Sequence, residues 1–228
     1  MKILSFILSA SLFSLVSCST TFTEQQKQQL ASLDIQKPIL TDQSYTEPQG
    51  NKDLKIARKT AFVGLTGATL GFLLEEGIEA NQQAKFNKQY GEAAAQVYTS
   101  VPKMLSTDLQ KKTKTAVNTI PQLNGKLNPS SSNKLITNIT SYGFKRVGKA
   151  GDKILMTPQI KGTYSLTLDG KEIVKPTKIE SQAHPEDLGQ HEITAYLSNK
   201  PLAMKDFEKA SEEFAKAIRS KLEEKYQN

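Results

Sequence analysis

Tryptophan is absent from this 228-residue chain, cysteine occurs once and histidine twice. A lone cysteine, Cys18, has no partner for an intrachain disulfide. With only His184 and His191 beside it, the usual ligands of a zinc centre are too few, and thiol catalysis is excluded because the single cysteine stands at the end of the N-terminal apolar run. Seven tyrosines without a tryptophan (Tyr45, Tyr90, Tyr98, Tyr142, Tyr164, Tyr196, Tyr226) are too scattered for an aromatic sugar-binding platform and read as core-edge residues. No Gly-x-Ser-x-Gly elbow, phosphate loop, dinucleotide fingerprint or calcium loop occurs, and Gly64–Gly71 lacks the Lys-Ser/Thr that a phosphate loop requires. A membrane-spanning helix needs roughly 20 apolar residues, and no run here reaches that length.

What the chain does contain begins at its start. Lys2 precedes an apolar run from Ile3 to Leu15, interrupted only by serines and Ala10 and followed at once by polar sequence. That is the pattern of a removable signal peptide. The run ends in Leu15-Val16-Ser17-Cys18, which resembles the lipobox of bacterial lipoproteins at all four positions. The resemblance implies removal of residues 1–17 and a mature N-terminus at Cys18. It further implies a thioether-linked diacylglyceride on that sulfur and a third acyl chain on the amino group. Each buried methylene contributes about 0.8 kcal/mol, so two or three chains hold stably where one does not. In such lipoproteins aspartate after the cysteine favours the inner membrane; Ser19 here implies the outer membrane.

The formal charge of +7 falls to +6 when Lys2 leaves with the leader, and the full chain has a pI near 9.3. Anionic envelope surfaces or an envelope protein complex are therefore the expected partners, besides the membrane reached through acyl chains on Cys18. Nucleic acid is not expected, because the leader directs the chain away from it. The densest basic run, Lys111, Lys112 and Lys114, reads as a solvated helix face.

Residues 18–56 are rich in Gln, Thr, Ser and Lys, with only Leu30, Leu33, Ile35, Ile39 and Leu40 as core candidates. They read as a mostly extended polar tether from Cys18, with a short helix around Glu24–Leu33. Residues 57–120 follow as a glycine-rich apolar segment and helices. The uncharged stretch Ala61–Leu74 lies between Arg58-Lys59 and Glu75-Glu76, and as a helix it would rise only about 21 Å, short of the ~30 Å hydrocarbon core. Gly64/Ala68 and Gly67/Gly71 are small residues four apart, a spacing that permits packing or self-association. Three readings stand for this stretch: a helix or hairpin in the protein's own core, an element inserted in or lying on the membrane, and a self-association helix. Phe86, Tyr90, Ala93 and Val97 then mark one apolar helix face, and Pro102 with Ser100 as cap predicts the start of a further helix ending near Thr119–Pro121. Residues 121–133, with two prolines, Gly125 and three serines, predict a loop and a subdomain boundary.

Residues 130–228 predict an α+β domain. Asn133–Tyr142 reads as a short helix capped by Gly143, leading into a strand at Phe144–Val147. Lys153–Leu168 alternates as a strand, with Pro158 implying an edge or break. Asp169-Gly170 predicts a tight hairpin to Glu172–Ser181, since such a turn wants φ > 0 at both central positions. Ala203–Tyr226 predicts a long amphipathic helix, with Met204, Phe207, Ala210, Phe214, Ala217, Ile218 and Leu222 on one face. It should lie on the hairpin sheet and close the core. The whole is therefore α+β: a tether and glycine-rich helical segment, then a small antiparallel sheet packed by a C-terminal helix.

This layout is similar to that of uncharacterised outer-membrane lipoproteins of proteobacteria. The matching pieces are Gly64–Gly71, Glu75–Lys88 and Ser181–Leu222, and the similarity brings no activity with it. The run from His184 to Glu192 clusters two histidines with three carboxylates, but its spacing fits no ligand motif and reads as a solvent-facing connection; Ser181, His184 and Asp187 lack a nucleophile elbow. The sequence thus predicts a non-enzymatic, periplasm-facing accessory or scaffold lipoprotein without cofactor. The alternative is a small-ligand or lipid-binding lipoprotein using a groove between sheet and terminal helix.

Overall fold

A computed structural model of the protein describes residues 21–41, 44–46, 80–151, 153–181 and 189–227. Its elements in chain order are α1 (Glu24–Gln29), β1 (Asp34–Ile35), β2 (Ile39–Leu40), β3 (Ser44–Thr46), α2 (Ala80–Asn118), β4 (Lys134–Ala150), β5 (Lys153–Leu168), β6 (Lys171–Glu180), α3 (Ile193–Ser198) and α4 (Lys200–Tyr226). The fold is α+β, with the long C-terminal helix packed on a mixed sheet.

The centre of the sheet is the antiparallel meander β4-β5-β6. Its β5–β6 turn is the Asp169-Gly170 pair, at φ 48° and 80°, so the positive φ expected at both positions is present. Pro158 sits in β5 beyond the end of the β6 pairing. Its neighbours Met156 and Ile160 turn their N–H groups away from β4, to His191 O and Ser181 Oγ. By alternation the missing N–H of Pro158 falls on that same flank and costs β4 nothing.

Asn133–Tyr142 is strand, not helix. Leu135, Ile139 and Tyr142 all point inward, and their spacing of four and three residues imitates a helical face. A bulge between Ile139 and Ser141 produces that spacing, because the extra residue at Thr140 flips the side-chain parity of everything after it.

The second correction concerns the tether. Within 18–56, residues 22–41 and 44–46 lie against the body of the protein. Phe22, Leu30, Leu33 and Ile35 are buried in the main core, whereas Ile39 is exposed. Helix α1 opens with a capping box: Gln26 N donates to Thr23 Oγ1, and Thr23 N donates to Gln26 Oε1. β1, β2 and β3 then run parallel along the outer edge of β4, pairing Asp34 with Lys134, Ile39 with Asn138 and Ser44 with Tyr142. The offset between partners drops by one from β1 to β2 and by one again from β2 to β3. Sparse apolar residues suffice here because backbone hydrogen bonds to β4 carry much of the docking, joined by Thr41 Oγ1 to Ile139 O (2.7 Å) and Gln110 Nε2 to Ile35 O (2.7 Å).

The third correction is Pro102, which begins no new helix. It lies inside α2, where it removes one hydrogen bond and crowds the carbonyl of Tyr98, a cost of about 3 kcal/mol. Val97, Val101, Leu105 and Leu109 are buried at four-residue intervals on both sides of it. That uninterrupted stripe, packed chiefly on α4, offsets the defect. Leu123, in the expected boundary loop, is also buried in the same core, so 121–133 separates no subdomains.

Asn199 caps α4 by accepting from Leu202 N, with Pro201 in the first turn. Ala203, Phe207, Ala210, Phe214, Ile218 and Leu222 form its buried face as expected, while Met204 and Ala217 are only half-buried. At the heart of the core Phe144 stacks on Tyr196 (4.8 Å between centroids) and meets Phe207 and Tyr98 edge-on.

Candidate functional site

Cys18 and the small residues Gly64, Gly67, Ala68 and Gly71 lie outside the described residues, as does His184. No helix among the described residues is long and apolar enough to cross a membrane.

A groove of about 830 Å³ lies where α4 passes over β5 and β6. This size lies within the range of small-molecule sites. Its floor is made of small or apolar groups: Gly162, Ile179 and Ala217. Gly162 matters most, because a Cβ there would press on the backbone carbonyl of Asn138 and come within 3.0 Å of Phe214 Cζ. Only glycine lets α4 seat at this height.

The walls are polar and of both signs. Lys161, Thr163, Lys178 and Glu180 come from the strands, and Glu213, Lys216, Ser220, Lys221 and Glu224 from the helix flank. On the helix, Lys216 pairs with Glu213 (2.7 Å) and Lys221 with Glu224 (2.9 Å). Glu180 accepts a hydrogen bond from Gln159 Nε2 (3.2 Å). The hydroxyl of Tyr164 is buried without a hydrogen-bond partner among the described residues, and burial, reinforced by the Glu224 charge, pushes its pKa up to about 12. The groove presents ammonium and carboxylate groups over an apolar floor, which suits a polar or zwitterionic ligand with a hydrocarbon portion. Lys112, read as part of a solvated face, instead ties α2 to α4: its Nζ donates to Glu208 O (2.8 Å) and lies 3.2 Å from Glu212 Oε1.

A second polar cluster lies where α3 meets α4. Tyr196 and Asp206 are both buried. The single hydroxyl proton of Tyr196 faces two acceptors, Gly189 O at 2.7 Å and Asp206 Oδ2 at 3.0 Å. Burial, then the charge of Asp206 and the hydrogen bond to it, hold the phenol far above the ordinary tyrosine range. His191 Nε2 and Lys209 Nζ each approach the carboxylate to 4.0 Å. His191 is also fixed by a two-way backbone bridge to Met156 and an edge-on contact with Tyr196. Gly189 packs so closely on Asp206 that a side chain there would collide with the carboxylate. The cluster pins the 189–191 backbone to α4, a structural task.

Ser181 has a similar role. Its buried Oγ accepts from Ile160 N at 3.0 Å, completing the strand ladder where β6 stops. Among the described residues no group of three His, Cys, Asp or Glu side chains is arranged to hold a metal. Sequence reading missed Asp206; its signal was a lone acid one residue before Phe207 inside the apolar face of α4.

No protein-family model and no curated protein matches this chain. Among solved structures it is similar to a crystal structure of a minor lipoprotein from Acinetobacter baumannii. The two are 12% identical, with 52% of this chain and 83% of that chain covered and a TM-score of 0.37.

Proposed function

We propose that this chain is a lipoprotein of the bacterial envelope, acylated on Cys18 and anchored in the outer membrane facing the periplasm, where it serves as a non-enzymatic accessory or partner-binding subunit. The observation that carries this reading is Leu15-Val16-Ser17-Cys18 directly behind a short apolar leader, with no other cysteine in the chain. Cys18→Ser is the test. Palmitate labelling of the parent and an unlabelled, unprocessed Cys18→Ser precursor are expected. Normal cleavage and release of that variant into the aqueous phase would overturn the reading.

The groove over β5 and β6 favours a second reading, in which the same lipoprotein binds a small amphipathic ligand. Solvent extraction of the purified protein followed by mass spectrometry should then yield a stoichiometric lipid or metabolite, reduced when Ala217→Phe fills the floor. An empty protein that also ignores added phospholipid defeats this second reading.

A further inference from the structure

The geometry points to a specific membrane-facing surface: the end of the molecule formed by Phe22, α1 and the C-terminal turn of α4, resting on phospholipid headgroups. The inference rests on the proposed acylation of Cys18. Its physical basis is the shortness of the leash. Phe22 is fixed to the body: its N–H donates to Lys225 O (2.9 Å), and its ring meets Tyr226 edge-on at 5.1 Å. Only Ser19, Thr20 and Thr21 separate Phe22 from Cys18. Four Cα steps span at most about 14 Å however they are arranged. An acylated sulfur lies at the base of the headgroup layer, so Phe22 and Lys225 must lie within or just above that layer.

The chemistry at this end suits the placement. Lys225 holds its ammonium 6.0 Å from the Phe22 ring centroid, and Lys27 stands on the first helix after the leash. Lys27 is paired with Glu24 at 2.8 Å, and both lysines carry stems long enough to extend an ammonium towards phosphate oxygens. The rest of the body extends away from this end, since α4, with 27 residues, is about 40 Å long and begins at Lys200. The polar composition of residues 19–46 would otherwise suggest a long spacer, but residues 22–41 and 44–46 belong to the folded body.

Depth measurement on the full acylated protein in phosphatidylethanolamine/phosphatidylglycerol vesicles tests this. An environment-sensitive thiol dye is placed at Gln227→Cys or at Lys200→Cys, Cys18 being blocked by its own thioether, and quencher is attached to lipid headgroups. The expected result is severalfold stronger quenching at 227 than at 200. Inserting 20 Gly/Ser residues after Thr20, with an r.m.s. reach of about 25 Å, should remove most of that difference. This insertion precedes the described residues and guards against a labelling artefact. A protein that takes no palmitate and does not float with vesicles overturns the anchor and this inference together. A protein that is acylated and floats, yet is quenched no more at 227 than at 200, overturns this inference alone.

Discussion

Gly162→Ala adds one methyl group where the structure has no room for it. The new Cβ would meet two neighbours at once, the Asn138 carbonyl of the paired strand and the rim of the Phe214 ring, 3.0 Å away. The ring can yield by a rotamer adjustment, but the carbonyl belongs to the β4 backbone and cannot move without opening the β4–β5 ladder at Ile139–Gly162. Overpacking of this kind costs roughly 1–3 kcal/mol, and the backbone contact places the change at the upper end, about 3 kcal/mol. For a folded body of this size each kcal/mol moves Tm by about 2–4 °C, so a fall of roughly 6–12 °C is expected in thermal unfolding of the soluble 19–228 protein. Gly148→Ala is the matching control: nothing lies within 4 Å of its added Cβ and its φ is not positive. That change should be neutral or stabilise by up to about 1 kcal/mol. Equal Tm values for the two variants would refute the claim that Gly162 sets the height of α4 above the sheet.

Phe22→Ala removes the ring that fixes the N-terminal segment to Tyr226 and should cost about 3 kcal/mol in urea unfolding, with amides of α1 and β1 exchanging faster than those of β5. Tyr196→Phe leaves the buried Asp206 carboxylate without its hydroxyl donor and should cost about 2–3 kcal/mol; adding Asp206→Ala should restore part of the loss, a coupling readable in a double-mutant cycle. Tyr164 has a folded pKa of about 12 against about 10 unfolded, so the unfolded chain loses its proton first. Stability is then fully present below pH 10 and falls as pH rises from about 10 towards 12, by roughly 3 kcal/mol from this group. Tyr164→Phe should remove this group's share of the alkaline loss, Tyr196 and Tyr226 supplying the rest, measured as urea midpoint against pH.

The parts of the fold legible in the sequence were those with one unbroken period. The alternation of β5, the Asp169-Gly170 turn and the apolar face of α4 all appear where the pattern places them. Misreadings arose where a local irregularity changed the period. The bulge at Thr140 turned a strand's spacing into a helix's, and Pro102 signalled a helix start in a segment whose flanking stripe was strong enough to continue through it. Residues 22–46 were illegible for a different reason. Strands of two or three residues, each shifted by one against its partner, leave no alternation to detect. The groove's position between sheet and terminal helix was anticipated, but its lysines and glutamates look in sequence like any solvated helix flank. Which flank faces a cavity depends on how closely Gly162 lets the helix approach, and a single glycine in a strand does not announce that.

The pairing of β1, β2 and β3 also decides how the sheet avoids aggregation. A strand as long as β4, left open along its outer edge, would present unpaired N–H and C=O groups to any other chain. β1, β2 and β3 cover that edge from Lys134 to Phe144. The opposite edge, β6, has no such cover among the described residues and carries Lys171, Lys175, Pro176 and Lys178, charges and a missing N–H that oppose further pairing. The two edges are therefore protected by different means, and only the β4 edge depends on the segment next to Cys18. An acylated Cys18 would join anchoring to folding, because any load from the bilayer passes through Phe22 and Tyr226 before it reaches the sheet. A freely extended tether would isolate the domain from such a load; acylated at Cys18, this one would transmit it to the strand edge that most needs its cover.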